Sequence, residues 1–451
     1  MGKYLVISFL IVSVALPLRA QESTDPGIKL GGYLQIDERV RLTQDNDLTG
    51  HEYRFDLKAE TKTTEKAHFY SELWLRSWGT STVQNSSDLT DKDKVSPWGL
   101  DLREAYVDLY GFLLDNLDLR IGRQRIAWGT ADKLNPTDNL NADDLEDIWD
   151  YGRHLGSDGL KTSCYIQDYT ITLACIPVFT PAVLPKGDLA AALSPSMALP
   201  AGMAIRNNAN AIILPENNIS ESPSIGIKVA NSFAGYDLSL SYVYGRDDLP
   251  LARKVTFTTT ATPGLVDLDT ELIYPRLHIA GIDMAGAIGD VGIWAEAAAF
   301  FPEKIYLETD LSALGMGTIS SIAMDDNPYT KYVIGGDYTF KNGLYINGQY
   351  LHGFIYERGK DSLEDYFMFG LEQKFFDDKL KVTPIGGGIE IKDFEDLKNN
   401  YALIFAPEIA YYPVDNAEII LGLRLIDGKT ATTFGRIKDA DEGFIKVKYS
   451  F

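Results

Sequence analysis

Cysteine, histidine and basic charge are all scarce in this chain. Only 2 Cys and 5 His occur among 451 residues, too few for a disulfide-stapled scaffold or a zinc ribbon. The 42 Lys and Arg are outnumbered by 64 Asp and Glu, for a net charge of -22. That balance excludes the basic face with which a nucleic-acid binder neutralises phosphates. After the first twenty residues no apolar run is long enough for a spanning helix of ~20 residues. No Pro/Ser-rich linker or low-complexity seam divides the chain, so one large architecture has to account for a length that otherwise suggests several domains.

Residues 1–20 carry Lys3, an apolar core from Tyr4 to Leu16 and a small residue, Ala20, which together predict a cleaved secretory signal. No Cys follows the expected cut, so a lipoprotein anchor is not indicated. The mature chain, 21–451, alternates apolar and polar residues in segments of about ten, the period of strands with two unlike faces. In one such segment Ala417, Ile419, Leu421, Leu423 and Leu425 share a face opposite Glu418, Ile420, Gly422 and Arg424. About eighteen segments follow this plan, which is the expected strand number for the barrel described below, with sixteen as the lower count. They begin near Gly27, Gly50, Ala67, Leu100, Asn116, Gly159, Tyr169, Pro223, Gly235, Glu271, Val291, Thr330, Gly343, Glu364, Lys379, Asn400, Asn416 and Asp441.

The gaps alternate between short turns and long stretches, the longest at 181–222. This is the plan of an all-β, single transmembrane antiparallel barrel with short periplasmic turns and long outer loops. A soluble sandwich would present a polar outer face, whereas here the apolar face recurs throughout, with aromatic residues near strand ends. In lipid only a closed barrel pairs the backbone groups of this many strands.

Two motifs carry a resemblance. The ending Ile445-x-Val447-x-Tyr449-x-Phe451 is similar to the carboxy-terminal signal, centred on Tyr449 and Phe451, that the barrel-assembly machinery recognises in outer-membrane proteins. The stretch RIGRQRIAWG at 120–129, followed by NPTD at 135–138, resembles a Gram-negative outer-membrane porin-like family with Gly-Arg-Gln, Trp-Gly and Asn-Pro-x-Asp in that order. The eighteen-stranded alginate-export barrels resemble it more distantly. The resemblance implies an outer-membrane barrel, and no substrate transfers with it.

If the apolar faces meet lipid, their partners line the lumen. The expected pore-lining residues are Arg39, Arg41, Arg54, Asp56, Lys58, Glu60, Glu72, Arg76, Glu104, Asp108 and Arg120. Asp108 is expected opposite Arg120 across a turn near Leu114. The set is either a water-bathed wall of offsetting pairs or an arginine track guiding an anion past a constriction. Arg123 and Arg125 break the alternation: they lie above the hydrocarbon, or a bulge at Gly122 turns them into the track.

The loop 181–222 is too apolar for water, so it is expected to fold inward as a constriction formed by Leu189, Leu193, Met197, Leu199 and Met203. The acidic loop 129–156 has Asp138, Asp143, Asp144, Glu146, Asp147 and Asp150 at spacings that fit no EF-hand, and is expected to be solvated. Cys164 and Cys175, placed equidistant from a turn between Tyr169 and Thr170, are expected to form a disulfide.

The five His are scattered with no catalytic or metal spacing, so neither an enzyme nor a cofactor or metal is expected. Expected partners are outer-membrane lipid, the barrel-assembly machinery and a small-molecule solute, with no nucleic acid; a homo-oligomer remains compatible with the sequence. The leading expectation is a porin-like channel for diffusion or facilitated transport of small solutes, anions among them. Its alternatives are a transporter of hydrophobic or lipid-like compounds and a non-conducting surface anchor or adhesin.

Overall fold

A computed structural model describes residues 27–43, 47–186, 190 and 202–451; the expected signal at 1–20 lies outside them. Eighteen antiparallel strands close into one barrel. In chain order the first nine are Lys29–Arg41, Leu48–Thr64, Ala67–Trp78, Trp98–Leu109, Leu117–Gln124, Ser157–Ile166, Tyr169–Ile176, Ser224–Phe233 and Tyr236–Arg246. The rest are Arg276–Ile288, Val291–Pro302, Tyr329–Thr339, Tyr345–His352, Asp365–Phe375, Leu380–Ile391, a sixteenth in two pieces (Tyr401–Phe405 and Glu408–Val414), Ala417–Gly428 and Glu442–Ser450. The first strand pairs with the second and with the eighteenth, so that Tyr33 faces Asp56 on one side and Ser450 on the other. Closure leaves the wall without a free edge, the condition for spanning lipid with strands.

The two-residue period decides which side chains meet lipid. Leu421 and Leu423 of the seventeenth strand are exposed outward, while Arg424 and Ile426 are buried on the inner face. Leu34, Leu160, Leu173, Leu240 and Ile282 repeat the outward apolar pattern on other strands. This outer face and the closed wall are those of an outer-membrane barrel.

Tight turns join the strands at one rim. Two of them put Gln167 and Ala234 at positive φ, 54° and 52°, as hairpin turns require. At the other rim, three long loops pair with one another in a separate five-stranded sheet. Its strands are Ala204–Ile212, Leu251–Thr259, Leu265–Ile273, Ile305–Asp310 and Thr318–Met324. Val255, Phe257, Val266 and Leu268 form its core, with Met203 packed against them.

This sheet corrects two expectations. The tenth barrel strand begins at Arg276 rather than near Glu271: Glu271–Ile273 belongs to the outer sheet, and Tyr274-Pro275 alone separates the two elements. Alternation runs through both and does not mark the join. In the apolar loop, Leu189, Leu193, Met197 and Leu199 lie outside the described residues. Met203 buries its side chain against the outer sheet instead of narrowing the lumen. Among the described residues the start of that loop reaches inward, where Val183 donates its N–H to the Asp143 carbonyl at 2.9 Å.

Candidate functional site

The segment between the fifth and sixth strands, 125–156, enters the barrel. Its hinge is built from the Gly-Arg-Gln, Trp-Gly and Asn-Pro-x-Asp residues. Gly122 has φ 127°, and a Cβ there would lie 2.3 Å from the Ala105 carbonyl oxygen, so only glycine fits. Buried Gln124 donates from Nε2 to the carbonyls of Gly159 and Gly122 at 3.0 and 3.3 Å. Asn141 Oδ1 accepts from the Ile126 N–H at 2.6 Å, while its Nδ2 donates to the Gln124 carbonyl at 3.0 Å. Trp128 lies against the eighth strand at Gly226, where a Cβ would come within 2.6 Å of the indole.

Past the hinge, the segment is held by a single carboxylate on the eleventh strand. Glu296 accepts from the N–H groups of Thr130 and Ala131, from Asn135 Nδ2 at 2.8 Å and from Thr137 Oγ1 at 2.8 Å. An acceptor shared by several donors fixes the backbone that supplies them. Ile126, Trp128 and Leu140 pack with Leu277, Ala298 and Phe300 of the wall, and Leu134 and Ile148 pack with Val333, Leu351 and Ile426.

The acidic half of the segment meets the opposite wall. Asp147 receives Arg39 of the first strand, Glu146 receives Arg76 of the third, and Asp144 receives Arg103 of the fourth at 3.1 Å. Within the segment, Arg153 reaches Asp144 at 2.9 Å, Arg125 reaches Asp138, and His154 reaches Asp143 at 3.0 Å. Trp74 sits at the centre, with the guanidinium groups of Arg54 and Arg103 at 3.9 and 4.3 Å from its ring. Contacts to strands one, three and four on one side and to eleven, twelve and thirteen on the other require the segment to cross the lumen.

This overturns the expectation of a solvated acidic loop. Asp144 and Asp147 are buried, Asp138, Asp143 and Glu146 partly so, and Asp150 is exposed; a buried charge persists there because a cation faces it. Burial by itself raises the Asp147 carboxyl, but the bonds from Arg39 outweigh it and hold the group below the usual carboxylate range. The same balance, with Arg153 and Arg103 as partners, lowers Asp144. Burial depresses His154, and the hydrogen bond to Asp143 together with the charges of Asp138 and Asp143 more than restores it, so that it lies above the usual imidazole value. Among the described residues no group of three His, Cys, Asp or Glu is arranged to hold a metal.

The other sequence-predicted pore residues are distributed as follows. Arg54 donates to Glu52 at 2.8 Å and to the Tyr33 hydroxyl at 3.2 Å. Lys58 lies between Asp56 at 3.8 Å and Glu72 at 3.5 Å, and Glu60 is near Lys29 at 3.6 Å. Asp108 stands opposite Arg120 and accepts from its Nε at 2.6 Å. Arg41 pairs in register with Glu442 at the far end of the first strand. Glu104 lies opposite Glu72 in register. Arg123 shares the outward parity of Ile121 and lies 3.6 Å from Asp158, while Arg125 belongs to the inward segment. The two arginines therefore have different fates. Tyr449 and Phe451 are at the closing seam, where Phe451 exchanges backbone hydrogen bonds with Gly32 at 3.0 and 3.2 Å.

The cysteines are not bonded. The turn is centred between Gln167 and Asp168, two residues earlier than expected, so Cys164 faces Ile171 and Cys175 faces Leu160. That register separates the thiols by four positions along the ladder, beyond disulfide reach.

Sequence reasoning missed Glu52, Trp74, Arg103 and Glu296. A signal for Glu296 exists: it is the one charge in the run Trp294-Ala-Glu-Ala-Ala-Ala. The matched sets of carboxylates in 138–150 and arginines on strands one to four also point to the docking of one on the other.

Two cavities flank the segment. One of about 340 Å³ is bounded by Arg54, Arg103, Arg125 and Arg153 together with Glu72 and Glu104. The other, of about 430 Å³, lies between the segment and strands thirteen to sixteen and is lined mainly by aromatic and small residues.

The chain is therefore an outer-membrane-type β-barrel with a lumen-crossing segment. No family model matches its sequence. No curated protein matches it either. Among solved structures it is similar to OmpF of Salmonella typhi, at 11% identity and TM-score 0.42, over 94% of this chain and 97% of that one. It is similar also to OmpT, an outer membrane protein of Vibrio cholerae, at 12% identity and TM-score 0.42, over 95% and 99% of the two chains.

Proposed function

We propose that the protein is a porin-like channel of a Gram-negative outer membrane, passing small solutes through a lumen narrowed by 125–156. The observation that carries this reading is the crossing itself: a closed eighteen-strand wall encloses a segment anchored at Glu296 on one side and at Arg39 and Arg76 on the other. A segment fixed at both sides restricts passage without requiring the wall to move.

Anchoring, rather than anion guidance, is the role that the arginine partners favour. Arg39, Arg54, Arg76, Arg103 and Arg120 each face a carboxylate, so the track offers an anion little uncompensated positive charge. The leader at 1–20 would deliver the chain to the envelope, and lipid and the assembly machinery would be its partners there. Reconstitution of the purified protein in planar bilayers tests the reading. Stepwise ion currents are expected; no current under conditions in which a control porin conducts would remove the channel function.

A further inference from the structure

The cavity of about 430 Å³ has a different chemistry from the charged wall opposite. Trp149 and Tyr151 of the inward segment form one side, and Phe354, Tyr366 and Phe434 form another. The last three rings pack edge-on or tilted, with Phe354 centroids 4.9 Å from Tyr366 and 5.8 Å from Phe434. Such a cluster fixes the ring planes and leaves a rigid aromatic surface.

The wall behind the cavity is thinned by small residues. Gly370 follows Tyr366 and Met368 on the inner face of the fourteenth strand, and a Cβ built on it meets nothing within 4 Å. Its φ is not in the left-handed region, so a side chain there would fill space without backbone strain. The neighbouring charge is already committed: Glu390 accepts from the N–H groups of Thr433 and Phe434 at 2.7 and 2.8 Å. Asn347 and Gln349 place amides at the same cavity. Asp132 and Lys133, both exposed, also line it and carry opposite charges, so an otherwise apolar, largely aromatic cavity with a few polar groups suits an uncharged ring rather than a bare sugar.

We infer that this cavity is a binding subsite for neutral aromatic solutes bearing a polar substituent. The inference rests on the channel reading for its role in transport, but the binding is separate from conduction. A solute held between the segment and the wall would occupy the passage while bound, so the same contacts would give both affinity and selectivity.

Calorimetric titration of the purified, detergent-solubilised barrel with 4-nitrophenyl β-glucoside tests it, with methyl β-glucoside and empty micelles as controls. Saturable binding of the aromatic glycoside, at least tenfold tighter than that of the methyl glycoside, is expected. Gly370→Phe, checked for folding by its heat-modifiable mobility, should weaken that binding at least tenfold, and Gly370→Leu should weaken it less. Equal binding of the two glycosides by the wild type, or no binding of either, overturns the inference whatever the variants do. Unchanged affinity in a folded Gly370→Phe protein overturns its location. If bilayers show no current while the titration shows selective binding, the channel reading fails and the subsite stands. If current is present and selective binding absent, the reverse holds.

Discussion

Arg39 of the first barrel strand donates from Nη1 and Nη2 to the two carboxylate oxygens of Asp147, at 2.9 and 2.5 Å, across 108 positions of sequence. Both side chains are almost fully shielded from solvent. Removing one partner of such a pair leaves a buried charge uncompensated, at a cost of about 3–5 kcal/mol. Arg39→Met should therefore lower the denaturant midpoint of unfolding. The double variant Arg39→Met with Asp147→Asn should recover part of the loss, because Asp37, the other carboxylate bonded to Arg39, keeps Lys446 at 3.4 Å. Equal destabilisation in the single and double variants would show that the pair does not hold the segment.

Glu296 serves the other end. Glu296→Ala removes the acceptor for Asn135, Thr137 and two backbone N–H groups at once. Orphaned buried donors cost about 1–3 kcal/mol each, so the segment should detach locally before the barrel unfolds. Limited proteolysis checks this: new cleavage within 130–150, with the barrel strands intact, is expected. Retained protection would assign the hold to the arginine side alone.

The tether should also loosen as pH rises. His154 lies above its ordinary value through Asp143, so its contribution is complete below about pH 6.5 and fades as pH climbs through the folded-state value. Buried Asp248 accepts from the Asp143 N–H at 2.6 Å; burial, followed by the charges of Asp143 and Asp247, raises its carboxyl far above the usual range. A raised carboxyl loses stability from about pH 4 upward, the same direction as the His154 effect. Asp144 and Asp147 act oppositely, but only in strong acid, where protonation would release their arginines. Hydrogen exchange of residues 142–156, corrected for intrinsic rates, should be faster at pH 8.5 than at pH 6. Equal or slower exchange would contradict the assigned tether.

The cysteines give a covalent check on register. With Cys164 opposite Ile171, and Cys175 opposite Leu160, both thiols are free. Protein denatured without reductant and treated with iodoacetamide should gain two alkyl groups by intact mass. A protein that gains none would require a different sixth-to-seventh strand turn.

The barrel was readable because a strand between lipid and lumen must alternate, and Leu421, Leu423 and Arg424 report that directly. Strand starts such as Ala67, Tyr169 and Val291 coincide with the observed ones for this reason. Loop fate was not readable by the same means. The apolar loop had two ways of hiding its surface, and the segment through Met203 found it in a sheet outside the barrel wall. The acidic loop suited water by composition, yet Asp144 and Asp147 are buried and Glu146 largely so because arginines distant in sequence meet them there. Pairing between remote charges leaves no local period, and only the opposite charge of segment and wall hinted at it.

The central claim is that 125–156, rather than the apolar loop, sets the width of the passage. Single-channel conductance in planar bilayers tests it most directly, comparing wild type with one variant in which 130–150 is replaced by a short Gly-Ser linker and another that lacks 190–210. A several-fold rise in the first variant, with little change in the second, is the expected result. Unchanged conductance in the first, or the larger rise in the second, would contradict the account.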